Sequence, residues 1–127
     1  MCRPVVFLVL CFAAMLTAVA AHGAQFVCTV GESYTSQRDG KLRPQGSEGW
    51  KLFTVDTSTG IVQGDLSAIV GAYRVMNTGG TQNAARLIAS GGKWQGALYI
   101  HTYAAAPHAF VYVDGVKVIT GTCRSSD

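Results

Sequence analysis

The side chains whose types could do chemistry sit in the last third of the chain, Lys93 to Cys123, KWQGALYIHTYAAAPHAFVYVDGVKVITGTC. His101 and His108 stand there among Tyr99, Tyr103, Phe110 and Tyr112. Two imidazoles on neighbouring strands could share a metal ion, but a closed site takes about four ligands. The next acid on their face, Asp114, belongs at the far end of the hairpin, so no metal is expected. A serine hydrolase needs a Ser activated by a His and an acid. Ser67, Ser90 and Thr102 lie in no context that marks them, and Asp56 and Asp65 are explained by turns. No nucleophile elbow, zinc signature or phosphate loop occurs. These residues imply recognition rather than catalysis, with no cofactor, and a binding surface made of Tyr99, His101, Tyr103, His108, Phe110 and Tyr112.

The strands that would position this surface can be read from two turns. Asp114-Gly115, between VYV and VKV, is a preferred pair for a two-residue type I′ turn, where both central residues need positive φ. It predicts Val113 opposite Val116, Tyr112 opposite Lys117 and Phe110 opposite Ile119. A four-residue loop over Ala104–Pro107 predicts Tyr103 opposite His108, His101 opposite Phe110 and Tyr99 opposite Tyr112. The period of two then sorts the side chains. Trp94, Leu98, Ile100, Val111, Val113, Val116 and Val118 form an aliphatic face, the expected core. Tyr99, His101, Tyr103, His108, Phe110, Tyr112, Lys117, Ile119 and Cys123 form the other. A solvated sheet face normally reads polar, and this one does not. A one-residue change in either turn would exchange the faces.

Length allows one domain, and a composition poor in charge and rich in Val, Thr and Tyr favours β structure. Residues 1–24 read as a secretory signal peptide: Arg3, then the apolar run Val5 to Val19, then small residues. Val19-Ala20-Ala21 resembles an A-x-A cleavage site, with Ala24 as a second option. The apolar run is short for a span of about 20 residues, so no lasting membrane anchor is expected. Residues 25–127 form the mature domain, periplasmic or secreted. Nine of the ten Lys and Arg follow the leader and face seven acids, a balance near +2. That is too weak and too scattered for a nucleic-acid footprint.

Cys2 and Cys11 leave with the leader. Cys28 and Cys123 remain, in an oxidising compartment and without a C-x-x-C spacing, which predicts one structural bridge between the terminal strands. Further strands are expected over Gln25 to Val30, Trp50 to Asp56, Ile61 to Gly64, Ala72 to Met76 and Asn83 to Ser90. The turn DTSTG, Asp56 to Gly60, joins the second and third of these. Leu66 to Gly71 stays open between helix and strand, and the alanines of Asn83 to Ser90 would also suit a short helix. Gly31 to Gly49 reads as a long loop with a short edge strand near Ser33 to Gln37. The sum is an all-β domain, a small antiparallel barrel or sandwich of seven to eight short strands with one disulfide.

Two stretches carry a resemblance. FTVDTSTGIV in mid-chain and PHAFVYVDGVKVITGTC at the end look like a group of short exported bacterial β proteins of uncharacterised function, which pair a first-strand Cys with a G-T-C ending. That resemblance implies a secreted, disulfide-tied β fold and brings no site residues. A fainter one is to the periplasmic inhibitors of C-type lysozymes, small barrels whose first- and last-strand Cys are joined and which carry a Ser-Gly-x-x-Tyr loop. Ser90-Gly91-Gly92-Lys93-Trp94 matches that loop except for Trp94. The function expected is therefore a non-catalytic binding module for an envelope protein or a small ligand. A lysozyme inhibitor is the alternative, and a small enzyme or metal-binding protein using His101 and His108 is the second.

Overall fold

The alternation of Phe26, Cys28 and Val30 with Gln25, Val27 and Thr29 starts a strand whose odd-numbered side chains face water and whose even-numbered ones are buried as far as Val30, beyond which Ser33 is in and Glu32 and Tyr34 are out. In the computed structural model, which describes residues 24–46, 51–89 and 96–126, this strand is β1, Gln25–Ser36. It is followed by β2 (Leu42–Pro44), β3 (Leu52–Asp56), β4 (Ile61–Gly64), β5 (Gly71–Thr78), β6 (Ala85–Ala89), β7 (Ala97–Ile100), β8 (His108–Val113) and β9 (Lys117–Ser125). The described residues contain no helix. Strands β3 to β9 pair in sequence order, each antiparallel to the next, and β1 pairs with both β3 and β9. That closes an eight-stranded antiparallel barrel, with β2 as an extra strand on the outer half of β1.

The barrel is filled. Phe53, Phe110, Tyr112, Leu87, Leu98 and Ile100 are all fully buried. Phe53 meets Phe110 edge to face, ring centres 5.0 Å apart at 87°, a contact worth about 0.5–1.5 kcal/mol beyond its buried area. One end of the barrel gathers the turns 57–60, 79–84 and 101–107 together with both ends of the described chain. The other end is closed by residues 66–70. Here the sequence hesitates between helix and strand, and the chain makes a single turn: the Leu66 carbonyl accepts from the Ile69 and Val70 amides. The turn drives Leu66 and Ile69 into the barrel mouth. Two tyrosine hydroxyls rising from the core hold it, Tyr73 donating to the Ile69 carbonyl and Tyr112 to the Ala68 carbonyl at 2.9 Å. Burial, and secondarily Tyr112 and Asp114, push the Tyr73 phenol well above its ordinary value, so it stays a donor.

The long loop expected over Gly31–Gly49 is partly strand. A bulge between Val30 and Glu32 lets β1 bend and continue to Ser36, and Leu42–Pro44 folds back on it. Both turns of the C-terminal unit also differ from the sequence reading. Val113 stands opposite Val118, not Val116, because the central residues are Gly115 and Val116. Gly115 takes φ 92°, the place a type II′ turn reserves for glycine. The Asp114 carboxylate accepts from the Val116 and Lys117 amides at 3.1 and 2.8 Å. This moves the pairing by two residues and leaves the face pattern of β8 and β9 intact. The other turn moves it by one. Ile100 pairs with Phe110, and Tyr99 with Val111 rather than Tyr112. The connection therefore runs over 101–107, with a cis bond at Ala106–Pro107.

That single step reverses β8 and β9. Phe110, Tyr112, Ile119 and Cys123 are in the core, and Val111, Val113 and Val118 are outside. Leu98 and Ile100 are inside, as expected. Trp50 and Trp94 lie outside the described residues.

Glycine 121 explains the register. It pairs with Phe110, and a Cβ there would stand 2.1 Å from the Thr29 carbonyl oxygen and 2.5 Å from Phe110 Cε2. The Phe110 ring lies over bare backbone. The bridge Cys28–Cys123 closes the neighbouring rung, Cα atoms 4.0 Å apart and 95 residues apart in sequence. In the chain-entropy model a loop of that length is worth about 4–5 kcal/mol. The expected outcome for Gly121→Ala is a loss of at least about 2 kcal/mol, or roughly 10 °C in melting temperature by calorimetry. Thiol labelling of unfolded, unreduced protein should find no free Cys28 or Cys123, and two labels per chain would contradict the closure.

Candidate functional site

The six expected surface residues divide three ways. Phe110 and Tyr112 are 0% exposed and serve the core, so they cannot belong to a surface. Tyr99 and His101 project outward from β7 and its end, because Ile100 between them is buried. Tyr103, 51% exposed, stacks on His101 with ring centres 5.6 Å apart and planes at 24°. His108 faces the other way, inward at the barrel end. It pairs with Cys123 and meets the buried Phe26 edge-on at 5.9 Å. Its Nδ1 lies 3.0 Å from the Ala104 carbonyl. The strands therefore bring His101 and Tyr103 together and set His101 and His108 on opposite faces. Among the described residues no three His, Cys, Asp or Glu side chains converge.

The loop that carries His101 and Tyr103 is held from the side. The Thr102 hydroxyl accepts from the Gly80 amide at 2.9 Å and lies 3.0 and 2.9 Å from the Gly80 and Asn83 carbonyls, to which it can donate. One hydroxyl thus ties the 101–107 loop to the 79–84 loop. The Ala104 amide donates back to the His101 carbonyl. Tyr103 is consequently presented on a fixed turn rather than a free tip.

Around these residues the register builds a surface that the sequence hides. Across the outside of the barrel, cross-strand partners form rows. One row runs Ile88, Ala97, Val113, Val118, Tyr34 and Pro44, from β6 to β2, without a charge. Its five inter-strand steps of about 4.8 Å make it roughly 24 Å wide. The row below holds Arg86, Tyr99, Val111, Thr120 and Glu32, with opposite charges at its two ends. Below that, His101 stands across from Ala109, whose partner is Thr122. Ile88, Ala97, Tyr99, Val111, Val113 and Val118 are all half-buried, each sheltered by its neighbours. Sequence reasoning placed Val111, Val113 and Val118 in the core. The signal that corrects it is Gly121, since a glycine inside a strand marks a spot where an aromatic ring or another backbone comes close, and Phe110 is that ring.

The remaining concavities among the described residues are open grooves rather than enclosed cavities, one of about 390 Å³ beside Val27, Leu52 and Gly64. A groove of about 290 Å³ outside β3 and β4 is lined by Gln25, Thr54, Asp56, Thr59, Ile61 and Gln63. The Ser58 hydroxyl, donating to Asp56 at 2.5 Å, is the main cause holding that carboxyl below its usual range, and the Ser58 and Thr59 amides add to it. A lowered folded-state value stabilises above the unfolded value and is lost as pH falls through the folded one, so Asp56 supports its turn at neutral pH. The groove is smaller and more open than sites that engulf a small molecule. Against this geometry, comparison with protein families, curated proteins and solved structures finds no match for the chain.

The division of the six residues has an energetic signature. Phe110→Ala should cost about 3–5 kcal/mol. Tyr103→Ser, on the exposed loop, should stay within about 0.5 kcal/mol of wild type. Denaturant titration of the two variants checks both, and equal costs would contradict the register.

Proposed function

We propose that this is an exported protein-binding module of the periplasm or the extracellular space, working without catalysis from the outside of a filled barrel. The observation that carries the reading is the uncharged band across β6 to β9 and on to Tyr34, continuous with Tyr99 and the His101–Tyr103 stack. A solvated sheet face normally reads polar, and a contiguous apolar patch with charges at its edges is the usual mark of a docking surface. The Cys28–Cys123 bridge is compatible with the oxidising location that a leader over residues 1–24 implies. Two of the residues weighed as nucleophile or base have other work: Thr102 ties two loops, and Asp56 caps a turn through the Ser58 and Thr59 amides.

A folded partner suits this surface better than a small ligand. The band is broad and convex, whereas small-molecule sites are concave. Roughly 800 Å² per partner is typical of a specific protein complex, a size that a band about 24 Å wide can serve once its aromatic margin is added. The lysozyme-inhibitor reading keeps one supporting feature, a bridge joining the first and last strands of a small barrel. The loop it would use, Ser90 to Trp94, lies outside the described residues.

The two readings separate on one variant. Val113→Lys with Val118→Glu sets opposite charges across the same rung, which the sheet tolerates, and removes the apolar centre of the band. The melting temperature should stay within a few degrees. Capture of an envelope protein by the tagged mature chain should fall at least tenfold. Unchanged capture would overturn the band as the site, and unchanged inhibition of a C-type lysozyme by both forms would favour the loop.

A further inference from the structure

The start of β1 depends on a residue that precedes it. Thr57, in the turn after β3, is fully buried. Its hydroxyl accepts from the Ala24 amide and donates to the Ala24 carbonyl, both at 2.9 Å. The Thr57 amide donates to the same carbonyl at 3.0 Å. Ala24 itself packs on the edge of the core. Both backbone groups and the side chain of Ala24 are therefore built into the fold, and the next residue, Gln25, takes the Ser126 amide on its carbonyl at 2.9 Å.

We propose that the leader is removed by hydrolysis of a peptide bond upstream of Ala24, so that the mature chain retains Ala24 and its clamp on Thr57. The inference rests on the signal-peptide reading and decides between its two cleavage options. Cleavage after Ala24 would strip Thr57 of every one of these partners. It would also put His22 three positions before the cut, where an export peptidase takes a small side chain. Cleavage after Ala21, or beside it at Ala18-Val19-Ala20 or Ala21-His22-Gly23, leaves the clamp whole. One water is consumed: the carboxylate stays on the leader, the new α-amine on the mature chain.

The full chain, expressed with export and isolated unreduced, should show an intact mass that includes Ala24–Asp127 and lacks the apolar run Val5 to Val19. A mass of Gln25–Asp127 would overturn the proposal, and one that retains Met1 would overturn the signal-peptide reading with it. Thr57→Val should leave the mature mass altered only by the substitution and lower the melting temperature by roughly 5–10 °C. A melting temperature equal to wild type would remove the structural half of the argument.

Discussion

Closure of the sheet between β1 and β9 is the constraint on which the other positions depend. Eight strands become a barrel only if the first meets the last, and here the two pair along nearly the whole of β9. Two features hold that seam. Cys28 and Cys123 are bonded on one rung. Two residues on, Gly121 lets the backbones of Thr29 and Gly31 come close while the Phe110 ring covers the gap. A side chain at 121 would push the strands apart at the place where the barrel must shut. The bulge after Val30 belongs to the same arrangement, since it bends β1 past the seam so that its outer half still pairs with β9 and receives β2. Closure also removes most free strand edges, and the short, Pro44-ended β2 is a poor template for further pairing.

With the seam fixed, the inside is decided by size. Phe53, Phe110 and Tyr112 occupy the middle, and the Leu66–Ile69 turn stoppers one mouth under the two tyrosine hydroxyls. Small eight-stranded barrels are either filled by side chains or left with room for one small ligand. This one is filled, which leaves its outer surface and its loops as the places a ligand could meet.

Much of this was legible in the residues. The two cysteines that follow residue 24, the DTSTG turn and the period-two runs of β1, β3 and β4 point to a disulfide-tied antiparallel β domain, a barrel or a sandwich. The faces of β7 were legible too, because Leu98 and Ile100 alternate cleanly with Ala97 and Tyr99. What could not be read was the loop between β7 and β8. Ala104-Ala105-Ala106-Pro107 looks like the whole connection, yet Thr102 draws the chain out of the sheet early by bonding a loop distant in sequence, Gly80 to Asn83. Local turn chemistry carries no trace of a hydroxyl committed to a partner about twenty residues away. One residue of difference then exchanged the two faces of β8 and β9. The Asp114 turn was misplaced by a residue as well, but its error was even in the pairing and therefore harmless to the faces.

The exchange matters because valine and isoleucine serve a strand on either side. β-branched side chains favour the pleat and shelter one another across rungs, so the outer row is stable as a sheet surface before anything docks on it. Val113, with Val118 on one side and Ala97 on the other, is covered without help from the barrel interior. That is why no single residue of the row is conspicuous and why its continuity is the informative feature. A partner would gain from such a row because its side chains are short, rigid and already ordered by the sheet. The rotamer entropy that long side chains lose on docking is largely absent here. The aromatic margin supplies what the row lacks: Tyr99 and the Tyr103–His101 stack offer flat rings with polar tips, set on a loop that Thr102 keeps in place.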